Sequence, residues 1–153
     1  MKQIVSIIIM SAFIWTGCEN KATSPGVTDT EILVGNIQDL SGPIKELGLL
    51  LPAGTNMYLD YINAQGGVHG RQIKMIVEDH GYNPQKAVVA AKKLVEKDQV
   101  FCLFNVIGTS PAEAIRPILE ESGVPLIAPA TNSSSMSDMS KQAARYIFHT
   151  DAG

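Results

Sequence analysis

Apolar and polar positions along the chain follow two periods, one of strands and one of helices. Glu31 to Gln38 reads as a strand carrying Ile32, Leu33, Val34 and Ile37, and it stops at the turn residues Asp39-Leu40-Ser41-Gly42-Pro43. From about Leu50 to Gln65, Leu50, Gly54, Met57/Tyr58 and Tyr61/Ile62 recur at helical spacing, which places Pro52 in or near the first turn of a helix. Gly66-Gly67 ends that helix with a left-handed cap, and Gln72 to Glu78 forms a second strand. Asn83-Pro84 opens another helix, a side-chain cap followed by a residue with no N–H to satisfy, and Val88, Ala91, Leu94 and Val95 mark its buried face. Val100 to Phe104 is a continuous apolar run, the pattern of a strand covered on both faces. Ser110-Pro111-Ala112-Glu113 combines a capping box with an early proline and starts a helix that runs to about Ser122. Gly123 closes it, Val124 to Ala128 is the next strand, and Tyr146 to Phe148 begins one more.

Strands alternating with helices predict an α/β fold, an open parallel sheet with helices on both faces. Ligands on such sheets bind beyond the carboxyl ends of the strands, here Asp39 to Pro43, Asp79 to Asn83, Asn105 to Ser110 and Pro129 to Ser135. In the third of these the chain bends at Gly108 and enters a helix N-terminus, where unsatisfied N–H groups and the helix dipole favour a carboxylate or phosphate. Thr109 reads as an added hydroxyl donor to a ligand, and Ser110 as the helix cap with ligand contact as the alternative. In the fourth, backbone carbonyls near Ala130 suit an ammonium group, while Thr131 or Asn132 suits a carboxylate; a plain polar loop is the competing reading.

Composition narrows the possible functions. The chain has 153 residues, 12 Lys+Arg against 15 Asp+Glu and a net charge of −3, so it lacks the basic footprint of a nucleic-acid binder. With 45% hydrophobic residues it can bury one core, which excludes a wholly disordered chain. No phosphate-binding glycine motif and no nucleophile elbow occurs. His69, His80 and His149 lack metal-ligand spacing, Asp79-His80 reads as a solvated strand end, and Glu120-Glu121 as a solvated helix end. With no nucleophile–base–orienter set, the residues point to a binder without catalysis, metal or cofactor. Cys102, inside an apolar run, reads as a packing residue.

The N-terminus predicts export. Met1-Lys2 is followed by the uncharged apolar run Ile4 to Trp15, too short to span a membrane as an ordinary helix but suited to a signal core. Thr16-Gly17-Cys18 then resembles the lipobox of bacterial lipoproteins, although Trp15 stands where that box usually has leucine. This divides the chain into a signal peptide at 1–17, a polar tether at 18–30 behind a lipidated Cys18, and a domain at 31–153.

Several stretches carry a wider resemblance: Gly35 with Leu40-Ser41-Gly42-Pro43, Tyr61-Ile62-Asn63-Ala64-Gln65-Gly66-Gly67-Val68 with Gly70-Arg71, and Asp79 with Gly81-Tyr82-Asn83-Pro84. Together with Val100 through Thr109 and Gly123-Val124-Pro125-Leu126-Ile127-Ala128-Pro129, they resemble the leucine/isoleucine/valine-binding family, the type I periplasmic solute-binding proteins of ABC transporters. The resemblance implies the first lobe of a two-lobe receptor, incomplete at Gly153, that captures a branched-chain or related amino acid, or an amide-like solute, for a membrane permease. It implies a location in the bacterial periplasm or at the cell surface, anchored through Cys18, and no nucleic-acid partner. It aligns Thr109 with a carboxylate-binding hydroxyl and Ala130 with the carbonyl that accepts the ammonium. Asn132 stands where the family usually has threonine, a place that Thr131 takes on a one-residue shift, and Leu47 stands where an aromatic commonly covers the ligand. The alternative on the same fold is the ligand-sensing domain of a regulator or chemosensor. An extracytoplasmic α/β enzyme is a more distant one.

Overall fold

The computed structural model describes residues 24–131 together with 133, 136 and 145–148. The export signal, Cys18, Asn132 and His149 therefore lie outside the described residues. The strands are β1 (Glu31–Gln38), β2 (Gln72–Asp79), β3 (Cys102–Phe104), β4 (Leu126–Ile127) and β5 (Ile147–Phe148). Among the described residues three helices lie between them: α1 (Lys45–Ala64), α2 (Pro84–Lys92), which continues into a π-helical turn at Lys93–Lys97, and α3 (Thr109–Ser122).

All pairings between these strands are parallel, in the order β2-β1-β3-β4-β5. Because side chains alternate across a strand, the register separates the two faces. Leu103, Leu126 and Ile147 are register partners on one face, all buried, and they join Ile37 and the inner sides of α2 and α3 in the core. Phe104, Ile127 and Phe148 are the partners on the other face, which α1 shares with Val34 and Ile73. The chain thus leaves β1 over one face and comes back past it to β3 over the other. The cleft at the carboxyl ends of β1 and β3 is the switch point where such sheets bind ligands.

Several local expectations need correction. Helix α1 starts at Lys45, five residues before Leu50, so Pro52 lies inside it and is buried. The proline removes one backbone donor, and the helix tolerates that because packing rather than propensity holds it. The early start is organised from outside the helix. Asp39, fully buried at the end of β1, accepts the N–H groups of Gly42 (2.5 Å) and Ile44 (2.8 Å). Asp79 accepts those of Leu40 (2.8 Å) and Gly81 (2.8 Å) and the Ser41 hydroxyl (2.6 Å). Gly48 lets α1 settle on this loop: a Cβ there would lie 1.9 Å from the Asp39 carbonyl oxygen. At the other end, the Gly67 N–H reaches back to the Ile62 carbonyl at 3.0 Å, in line with the expected cap.

Asn83 caps α2 as expected, accepting from Gln85 (2.9 Å) and Lys86 (3.1 Å). Ser110 does not cap α3. The cap position is Gly108, Ser110 is an exposed first-turn residue, and Glu113 pairs with Arg116 and Ser133 instead of closing a capping box. Strands β3 and β4 are also shorter than their apolar runs, because Val100 and Val124 are buried in loops that feed the core. Cys102 is buried, and burial pushes its thiol pKa up to about 11, which fits a packing residue.

Candidate functional site

An open cleft of about 360 Å³ lies over the carboxyl ends of β1, β3 and β4. The start of α1 supplies an apolar wall, Ile44, Leu47 and Leu51. Ile107, Gly108 and Thr109 form the opposite side, Ala130 and Thr131 close one end, and Tyr82 comes from the β2–α2 loop. Five of the expected residues, Leu47, Gly108, Thr109, Ala130 and Thr131, are thus brought together from three separate parts of the chain. Ser110 is exposed on the first turn of α3 and is not part of this lining.

The polar end of the cleft is built from backbone. Gly108, with φ +90°, turns the chain so that α3, 14 residues long, points its N-terminus at the cavity. The first amides of a helix have no acceptor within it, and their aligned dipoles favour an anion. Across from them the Thr131 Oγ1 is buried without a hydrogen-bond partner among the described residues. The Ala130 carbonyl accepts the Gly108 N–H at 3.1 Å, which ties the two loops together and leaves one lone pair for a further donor.

Tyr82, Ile44 and Leu51 were not among the expected site residues. Tyr82 sits in the left-handed region (φ +56°), and its ring occupies the space beside Gly108, where a Cβ would meet it at 2.9 Å. The Gly81-Tyr82 pair offered a signal, since a strand end followed by Gly and Asn-Pro is a tight loop that must project its one large side chain.

His80 overturns the expectation of a solvated strand end. It is fully buried, with Nδ1 accepting the Tyr82 N–H at 2.8 Å and Nε2 3.0 Å from the Ile107 carbonyl. Burial pushes its pKa below the ordinary imidazole value, against the Ile107 carbonyl and the carboxylates of Asp39 and Asp79, which favour the charged form. Asp79 itself is exposed. Its partial burial opposes ionisation, but the Ser41 hydroxyl, the Leu40 and Gly81 amides and His80 together hold its pKa below the usual carboxylate value.

Beneath the cleft, side chains replace part of the sheet ladder. Asn36 donates to the Phe104 carbonyl at 2.8 Å and Gln38 to that of Asn105, where β1 and β3 diverge. Their side-chain oxygens, Asn36 Oδ1 and Gln38 Oε1, are buried with no partner among the described residues. Such orphaned acceptors each carry a desolvation penalty of about 1–3 kcal/mol.

Among the described residues no group of three or more His, Cys, Asp or Glu side chains is placed to hold a metal ion, and no helix is long and apolar enough to cross a membrane.

Comparison with known proteins places this geometry among relatives. A family model described as periplasmic binding protein matches residues 31–153. The leucine-, isoleucine-, valine-, threonine- and alanine-binding protein of Pseudomonas aeruginosa is 31% identical over a match covering 72% of this chain and 29% of its own length. The Leu/Ile/Val-binding protein of Escherichia coli is 26% identical, with 86% and 40% covered. Among solved structures, a branched-chain amino acid transporter substrate-binding protein of Streptococcus pneumoniae, in complex with isoleucine, superposes with a TM-score of 0.68 at 25% identity, covering 78% of this chain and 33% of that one. A fatty acid ABC transporter substrate-binding protein from Thermomonospora curvata matches equally well, with a TM-score of 0.68 and 30% identity over 81% of this chain and 30% of that one. The chain therefore spans about a third of the length of its relatives.

Proposed function

Because the chain belongs to the periplasmic binding protein family, we propose that it is the solute-binding part of an ABC transporter, capturing a branched-chain or related amino acid outside the cytoplasm without catalysis. One observation carries this reading: a single cleft sets an apolar wall, Ile44, Leu47 and Leu51, against a helix N-terminus flanked by Thr109 and the unpartnered hydroxyl of Thr131. An aliphatic amino acid has that same division, an apolar side chain at one end and a carboxylate at the other. The remaining lone pair of the Ala130 carbonyl is offered to the ammonium group. The cleft is open on its outer side, and in this reading a second lobe closes over it and supplies the remaining contacts. Capture ends in hand-over to a membrane permease, with Cys18 as the lipid anchor.

Leu47 carries the question of specificity. An aliphatic residue at the apolar wall packs against any saturated chain, and one relative is described as a fatty acid binder. Calorimetry with L-leucine, L-isoleucine, L-valine and a medium-chain fatty acid tests the reading. Binding of the amino acids, weakened by roughly 1–3 kcal/mol in Thr109→Val through loss of a hydrogen bond to a charged group, supports it. Binding of the fatty acid alone, or affinity unchanged in Thr109→Val, refutes the assignment of the cleft.

A further inference from the structure

His80 is the only fully buried imidazole among the described residues, and its two partners fix its chemical form. A backbone amide can only donate, so Nδ1, which takes the Tyr82 N–H at 2.8 Å, carries no proton. A carbonyl can only accept, so Nε2, 3.0 Å from the Ile107 oxygen, carries it. The ring is therefore the neutral Nε2–H tautomer, and it bridges two loops of different origin. One is the β2–α2 loop, where Tyr82 forms a wall of the cleft. The other is the β3–α3 loop, where Ile107 is followed directly by Gly108 and Thr109.

We propose that His80 is the positioning residue of this cleft, its neutral imidazole tying the Tyr82 wall to the Gly108–Thr109 helix start, and that protonation releases the tie and with it the bound solute. The solute part rests on the cleft being the ligand site; the coupling of the two loops does not.

The physical argument is one of donors and acceptors. A proton added to Nδ1 of this fully buried ring sets two N–H groups against each other across 2.8 Å. Either the ring or the Tyr82 amide must move, and Tyr82 is in the left-handed region, with its ring packed beside Gly108. The charges that reach the ring are Asp39 from the end of β1 and Asp79 from the end of β2, and both favour the imidazolium. From the β3–α3 loop the ring meets the Ile107 carbonyl, and from its own loop the edge of Tyr82 at 6.2 Å between centroids. Burial outweighs these favourable charges, so the switch lies on the acid side of the ordinary imidazole range. The bonds of Ile107 to the Ile37 carbonyl of β1 (3.2 Å) and of Gly108 to the Ala130 carbonyl in the loop after β4 (3.1 Å) pass any movement on to the rest of the cleft.

The test is a pH titration of the ¹⁵N-labelled chain by NMR, followed by addition of L-leucine as the probe. Above pH 7 the expected spectrum shows Nδ1 of His80 unprotonated and Nε2 protonated. The amides of Tyr82, Gly108 and Thr109 should then titrate with the midpoint of His80, below 6.5. In His80→Asn, whose side-chain oxygen can still accept from the Tyr82 amide and does not titrate, that common midpoint should vanish. A proton on Nδ1, or Gly108 and Thr109 amides that ignore the His80 midpoint, overturns the proposal without any variant having to fold. In the second arm, affinity for leucine one pH unit below the midpoint should be about tenfold weaker than at pH 7.5, since about one molecule in eleven keeps the competent form. The same ratio should be near one in His80→Asn. Equal affinity at both pH values in the unmodified chain overturns the role of His80 in retention. Leucine that perturbs no cleft amide at any pH refutes the cleft as its site, while the first arm still decides the coupling of the loops.

Discussion

The two faces of the sheet are built from adjacent residues of the same strands, yet among the described residues only one of them is sealed. Behind Leu103, Leu126 and Ile147, the small residues Ala87, Ala90 and Ala91 of α2 and the large ones Ile115, Ile118 and Leu119 of α3 interlock into a buried layer. On the other side α1 is the one helix among the described residues. Leu50, Met57, Tyr58 and Tyr61 are 67%, 75%, 63% and 60% exposed, and Phe148 at the far edge is 54% exposed. Between α1 and the sheet a cavity of about 490 Å³ is lined by Val34, Ile73 and Phe104 with Gly54, Thr55, Tyr58 and Leu59. Apolar content alone does not distinguish the faces. What distinguishes them is topology, because the connections β2–α2–β3 and β3–α3–β4 both pass over the same side. The lesson is that stability resides on one face of this chain and the candidate chemistry at the upper edge of the other.

The strongest way to break that contrast is to cut into the sealed face. Leu119→Ala should lower the free energy of unfolding by about 2–5 kcal/mol, read as a shift of the urea midpoint. A loss under 1 kcal/mol denies that this layer is the core. Next in size is Gly48→Ala, which forces a methyl group against the Asp39 backbone. Overpacking of this kind costs about 1–3 kcal/mol, and it should also disturb the amides of Gly42 and Ile44, which Asp39 holds. A neutral result removes Gly48 as the contact that seats α1.

The pH dependence is smaller and separates the two carboxyl-edge residues. His80 has its pKa below 6.5 in the folded state, so its contribution is full above 6.5 and declines as the pH falls from there through the folded value. Asp79 has its pKa below 3.8, so its contribution is full above 3.8 and disappears as the pH falls through the folded value. Urea midpoints measured against pH should therefore fall in two steps, and His80→Asn should remove the upper one only. A single step in both chains contradicts the buried neutral imidazole. The smallest effect is expected on the open face, where Leu50→Ser and Met57→Ser should stay within about 0.5 kcal/mol of the unmodified chain. A large loss at either position means that α1 carries more of the fold than its exposure indicates.

Much of this architecture was legible in the sequence. The bounds of β1, the Asn83 cap, the Gly123 stop and the parallel α/β order follow from local chemistry, in which side-chain caps, left-handed glycines and apolar periods act over a few residues. The early start of α1 was not legible, because the acceptor that organises it, Asp39, lies outside the helix and its effect depends on the strand end. The α3 start misled for the opposite reason. Ser110-Pro111-Ala112-Glu113 has the form of a capping box, but the turn at Gly108 comes two residues earlier, and Glu113 turns to Arg116 and Ser133. At the candidate site, Thr109 and Thr131 were foreseeable as polar residues at strand ends. The Gly81-Tyr82 turn signalled a projecting ring but not its place beside Gly108, and the burial of His80 left no signal, since both depend on a second loop folding against the first.

By itself, then, the sequence determined the elements, their parallel order and the strand ends at which a ligand is to be sought. These depend on residues near one another in the chain. Tertiary structure alone decided which apolar residues are covered and which face of α1 is left open. It also decided which of the strand-end side chains share a cleft and that a histidine of ordinary appearance stands as a neutral bridge between two loops. Those outcomes depend on burial and on partners as far apart as Asp39 and His80 or His80 and Ile107, and no local pattern records such distances.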